Sequence, residues 1–108
     1  MNGLIYKITN DINNKVYIGK TLHSSIAERF NEHLRDYQKS RNEKRPLYNA
    51  MQKFGVKHFK IELIEKVPIS ELSLREIYWI DFYNSFHNGY NATRGGDGKQ
   101  LYDYDAIV

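Results

Sequence analysis

The chain contains no cysteine, which excludes a disulfide framework and any zinc site built on thiolates, and nothing points to an oxidising compartment. No apolar run approaches membrane-spanning length, and the opening MNGLIYKITN lacks the apolar core of a secretory signal. The expectation is a soluble protein working inside the cell, with no membrane partner. There are no repeats and no low-complexity segments, and only two prolines, so nothing divides the chain into separate parts.

What remains is ordinary globular material. At 108 residues, 41% hydrophobic and 27% charged, it makes one small folded domain with room for a single site. The net charge of +3 understates an asymmetry: Lys15 to Lys66 holds twelve Lys/Arg against six Asp/Glu, and the remainder four against seven. A basic surface of this kind attracts a phosphate backbone, though a solvated charged face explains it equally well. Lys20, Arg29, Arg35 and Lys53 are its candidate phosphate contacts. Nine tyrosines exceed what a core requires, because each hydroxyl needs water or a partner. Some belong at a site or an interface.

LIYKITN alternates apolar and polar residues, and KVYIGKT follows after the turn-forming DINN, so residues 3–21 read as an antiparallel hairpin. That puts Tyr6 and Tyr17 on neighbouring strands. Gly19, inside the second strand, is of a kind that often marks a bulge. Ser25 and Glu28 form a capping-box pattern, and Ile26, Phe30, His33, Leu34 and Tyr37 recur at helical spacing to about residue 40. Arg29 and His33, four apart, lie one above the other. SRNEKR reads as a loop, and a short helix runs from Pro46 to Gly55. In HFKIELIEKV, Phe59, Ile61 and Leu63 share one face of a third strand. A last helix, capped by Ser70 or Ser73, ends near Asn84, and a glycine- and asparagine-rich loop follows.

That last helix carries an oddity. In LREIYWIDFYN, Glu76 lies on the same face as Leu72, Trp79, Ile80 and Tyr83. Three readings stay open: a capping-box partner for Ser73, an acid reaching out from the core edge, or a functional carboxylate. A carboxylate in apolar surroundings costs several kcal/mol unless it meets a cation or a metal. The candidates taken together are two phenols, an ammonium, a guanidinium, an imidazole and one carboxylate. No second carboxylate stands ready for paired acid/base work, nor are there the several needed to hold two metals. The set suits phosphoryl chemistry with one Mg²⁺.

LIYKITN and KVYIGKT resemble the two strand motifs of the GIY-YIG nuclease family, through Ile5-Tyr6 and through Tyr17-Ile18-Gly19. The first departs from the pattern: Leu4 stands where the family name has glycine, and Gly3 comes one position early. The resemblance continues with Arg29 and His33 in AERFNEH, Glu76 in REIYWID and Asn91 in GYNATRGG. It implies an α+β fold with a small three-stranded antiparallel sheet flanked by helices, over residues 1–96. It also implies a metal-dependent DNA endonuclease with one Mg²⁺ or Mn²⁺ held by Glu76, and Arg29 on the scissile phosphate. In this reading Tyr6 is the first choice of base, its pKa lowered by Lys20 or by the metal, and His33 is the alternative. Tyr17 positions water, phosphate or proton, and Asn91 braces the site. The wording is most similar to phage or mobile-element homing nucleases, which implies action in the cytoplasm, a host's if phage-encoded. A DNA-binding module of the same fold without catalysis is the alternative. Residues 97–108, ending YDYDAIV, read as a tail or as the start of a linker to a DNA-targeting domain after residue 108.

Overall fold

In the computed structural model, which describes residues 1–39 and 45–96, the expected elements form in the expected order. Strand β1 (Asn2–Asn10) pairs with β2 (Val16–Thr21); helix α1 (Ile26–Lys39) and helix α2 (Pro46–Phe54) follow. Strand β3 (Phe59–Pro68) returns to the sheet, and α3 (Ile69–Tyr83) with the short α4 (Ser85–Asn88) completes the described chain. The fold is α+β, with an antiparallel sheet in the order β2-β1-β3. Parts of the SRNEKR loop and the whole of the 97–108 tail or linker lie outside the described residues.

The sheet buries both faces. On one, Tyr6 and Ile8 pack with Leu47, Tyr48 and Met51 of α2 and with Phe59. On the other, Ile5, Ile18 and Val67 pack with Leu72 and Ile80 of α3. Because successive strand side chains point to opposite faces, these two cores hold α1 and α2 on one side of the sheet and α3 on the other. Gly3 lets α3 come close: a Cβ there would stand 2.6 Å from the Leu72 side chain.

Two expectations change and a third holds with a difference: Leu63 shares the face of Phe59 and Ile61, pairing with Tyr6 as Ile61 pairs with Ile8, but is 51% exposed. Beyond Leu63 the strand is irregular: Ile5 pairs with Glu65 but Tyr6 pairs with Leu63, so Ile64 is an extra residue, a β-bulge. Past the bulge the alternation is reversed, which turns Glu65 and Val67 toward α3. There Glu65 accepts hydrogen bonds from Arg75 Nε (2.5 Å) and Trp79 Nε1 (2.9 Å).

Gly19 marks no bulge, since β1 and β2 pair in regular register through it. It is glycine because the Tyr6 ring lies across it: a Cβ at position 19 would be 2.3 Å from Tyr6 Cζ. Finally, neither Ser70 nor Ser73 caps the last helix, which begins directly out of β3 with Pro68 at the N-cap and no side-chain cap. Glu76 is therefore two turns inside the helix, and the capping-box reading falls.

Candidate active site

α3 buries Leu72, Glu76 and Ile80 at i, i+4 and i+8, so the carboxylate occupies the middle of the stripe that faces the sheet. It is not left without donors. Glu76 Oε1 accepts from the Gly96 N–H at 2.8 Å and lies 3.5 Å from Lys20 Nζ. Lys20 also donates to Ser73 Oγ at 2.9 Å, one turn earlier on α3. Its strand position, opposite Ile5, puts it on the α3 face, which corrects its expected place beside the Tyr6 phenol. The cation that bears on Tyr6 is Arg29.

On the other face, α1 has one fully buried side chain, His33, 2% exposed. Its Nε2 is 2.6 Å from Tyr6 Oη and its Nδ1 is 2.9 Å from Tyr48 Oη. The rings of Tyr6, Tyr17 and Tyr48 all pack against the imidazole, with centroids 5.5–5.8 Å away. Burial is the main influence on its proton affinity, and with the Arg29 guanidinium nearby it pushes the imidazole down to about 3. His33 is neutral at physiological pH. Burial also raises Tyr6 and Tyr17, the latter helped by the negative charge of Glu76, while Arg29 opposes the rise at both. Arg29 itself donates to Glu32 at 2.9 Å, which fixes the guanidinium.

Both halves meet in a cleft of about 220 Å³ lined by Tyr17, Arg29, His33, Tyr48, Glu76 and Asn91, among others. Tyr6 is absent from its wall and is 0% exposed. The phenol expected to act first on water is thus the one held behind, and Tyr17 stands in front, within hydrogen-bonding reach of it. Asn91 is joined to β2 by a specific device. Its Oδ1 accepts the Ile18 N–H at 2.8 Å while its Nδ2 donates to the Ile18 carbonyl at 2.8 Å. A side-chain amide thereby pairs with the edge of β2 as a neighbouring strand would. Ser85 Oγ donates to the same Oδ1 at 2.7 Å.

Arg35 and Lys53 are exposed and do not line the cleft. Among the residues that line it without having been singled out from the sequence are Tyr48, and Arg45, whose guanidinium lies 5.3 Å from the Tyr48 ring. The excess of tyrosine was the one signal that pointed toward Tyr48. Among the described residues no three His, Cys, Asp or Glu side chains gather as a metal site. A lone carboxylate at the wall of a cleft that also carries guanidinium groups fits a hard cation shared with substrate phosphate and water, as Mg²⁺ is commonly held.

Comparison with known proteins identifies the family and the fold. The profile of the GIY-YIG catalytic domain matches residues 2–91. Intron-associated endonuclease 1 of Enterobacteria phage T4 is 33% identical over 91 residues, which is 82% of this chain and 36% of that protein. Uncharacterized protein 019R of Invertebrate iridescent virus 6 is 38% identical over 99 residues, 84% of this chain and 33% of that one. The chain spans about a third of the length of the curated relatives it matches. Among solved structures, a mutant of the catalytic domain of intron endonuclease I-TevI superposes with a TM-score of 0.76 at 30% identity, covering 89% of this chain and 98% of that one. The catalytic domain of homing endonuclease I-TevI gives 0.73 at 31%, covering 84% and 98%.

Proposed function

This chain belongs to the GIY-YIG catalytic domain family, and from that premise we propose that it is a metal-dependent DNA endonuclease of the homing type. The observation that carries the reading is the convergence, in one cleft, of Glu76 from α3 with Arg29 and His33 from α1. Glu76 would hold one Mg²⁺ or Mn²⁺, which when bound supplies charge neutralisation at the phosphate and its leaving 3′-oxygen. The Arg29 guanidinium, held by Glu32, would take the non-bridging oxygens of the scissile phosphate, where its planar fork suits better than a lysine. Lys20 sits beside Glu76 and would add a second positive charge on the α3 side.

The proton of the attacking water would be taken at the phenol that lines the cleft, Tyr17, as that phenol passes its own proton to Tyr6 and Tyr6 passes its proton to Nε2 of the neutral His33. Tyr6 and His33 stand behind it as hydrogen-bonded support, and Asn91 holds the Tyr17–Gly19 strand in place. Arg35 and Lys53, if they meet DNA, would do so beyond the cleft. We further propose that the enzyme acts in the cytoplasm, a host's where the gene is carried by a phage, and that selection of a DNA site rests on a domain following residue 108.

The test is nicking of supercoiled plasmid with Mg²⁺. Glu76→Ala and Arg29→Ala should each reduce the rate by about 10²-fold or more, the scale for removing a group that stabilises transition-state charge. Undiminished cleavage by either variant removes that residue from the site. DNA affinity that is independent of metal, with no nicking, would instead favour a binding module of the same fold.

A further inference from the structure

The tyrosine and histidine cluster at the cleft contains a group that the proposed chemistry leaves without a role. Tyr48 is buried, and its hydroxyl lies 2.9 Å from His33 Nδ1. A neutral imidazole has one nitrogen that donates and one that accepts, and whichever partner fixes the first fixes the second. The two contacts differ in a way that assigns them. The 2.6 Å contact to Tyr6 is shorter than N–H···O bonds, which run ~2.7–3.2 Å, but ordinary for a hydroxyl donor. The 2.9 Å contact to Tyr48 has the usual length of a ring N–H donating to oxygen.

We propose that Tyr48 is a positioning residue: it accepts the Nδ1–H of His33, so that Nε2 stays an acceptor and orients the Tyr6 hydroxyl. The consequence reaches the cleft. With its proton committed to His33, Tyr6 presents its oxygen lone pairs toward Tyr17, and the chain has one direction of donation, from Tyr17 through Tyr6 and His33 to Tyr48. Arg45 reinforces the anchor, because a guanidinium can only donate and here it bonds the Tyr48 hydroxyl. The α2 helix thus contributes to the site through an imidazole tautomer. This inference rests on the phenols handling the proton in the proposed nuclease.

The tautomer is readable without substrate. Long-range ¹H–¹⁵N correlation spectra of the 108-residue chain should show His33 protonated at Nδ1 and bare at Nε2 at neutral pH. Protonation at Nε2 instead would overturn the proposal. Tyr48→Phe keeps the ring packing and removes only the hydroxyl, so it should move His33 toward the Nε2–H form. It should also slow plasmid nicking by about tenfold, part of the 10²–10⁴-fold scale of proton-transfer assistance. A Tyr48→Phe protein that is folded, with an unchanged tautomer, also refutes it. Failure of the nuclease reading looks different: the Nδ1–H tautomer is present and lost in Tyr48→Phe, but wild-type protein nicks no DNA.

Discussion

Replacing Gly19 by alanine tests whether the YIG glycine is there for space. The added Cβ would lie 2.3 Å from both Cζ and Oη of Tyr6 and 2.8 Å from its Cε1. Nothing at that end of the ring can yield easily, because Tyr6 is fully buried and boxed by Tyr17 and His33. The ring must shift, and with it goes the bond to His33. Overpacking of this kind costs ~1–3 kcal/mol, and leaving the buried His33 nitrogen and Tyr6 hydroxyl unpaired adds ~1–3 kcal/mol. The sum, ~2–6 kcal/mol, is a large part of the ~5–15 kcal/mol available to a domain of this size. Urea unfolding followed by Trp79 fluorescence should show a clearly lower midpoint at an unchanged slope. Plasmid nicking, measured where the variant is still folded, should fall as well, since Tyr6 no longer supports Tyr17. Gly55→Ala is the control: at φ +90° alanine is strained, but no atom lies within 4 Å. It should lose ~1–3 kcal/mol through backbone strain alone and keep its activity per folded molecule. A Gly19→Ala protein with wild-type midpoint and rate would refute the packing argument.

Two further outcomes follow from the buried polar groups. Asn91→Ala strands the N–H and carbonyl of Ile18 and should cost ~2–4 kcal/mol, read as a loss of urea midpoint; a change within error would show that the amide merely fills space. His33 gives a pH signature. The unfolded chain takes up this proton near pH ~6.5 and the folded chain only at about 3, so the unfolded state binds more protons in between. Its contribution is therefore fully present above pH ~6.5 and falls by up to ~1.4 kcal/mol per pH unit below it. Comparing urea midpoints of wild type and His33→Gln between about pH 7 and about pH 5 checks this, and parallel slopes would count against it.

Much of the architecture was legible because local signals agree with the fold. Alternation in LIYKITN and KVYIGKT, the turn in DINN and the helical spacing around His33 each specify an element without help from the rest. The bulge at Ile64 was not legible. IELIE breaks its alternation once, at the adjacent apolar Leu63 and Ile64, but only pairing with β1 shows that one residue there has no partner. The start of α3 was misplaced for a related reason: Ser70 and Ser73 are good caps in isolation, but the strand delivers the chain into the helix at Pro68 and leaves them inside. At the site, residue types were visible and their facing was not. Lys20 reads as a neighbour of Tyr6 along the strand, yet one residue of register sends it to the opposite face. Tyr48 and the Gly96 N–H lie far from their partners in sequence, and no local pattern marks either contact.

The facing of these residues follows from where the site sits. In the order β2-β1-β3, β2 is an edge strand, and an edge is the one place where side chains from both faces of a sheet can approach each other without a strand between them. Tyr17 and Gly19 point to the α1 side, Ile18 and Lys20 to the α3 side. Around that edge Glu76 from one layer can share a cleft with Arg29 and His33 from the other. An exposed edge also offers unpaired backbone groups, and here the GYN segment takes them: Tyr90 N–H donates to the Val16 carbonyl at 2.9 Å, and the Asn91 amide pairs with Ile18. The same segment runs on to Gly96, whose N–H binds Glu76. One stretch of chain therefore covers the strand edge and fixes the carboxylate, which ties the stability of the sheet to the geometry of the site. That coupling is why a glycine- and asparagine-rich loop, featureless as secondary structure, carries site residues.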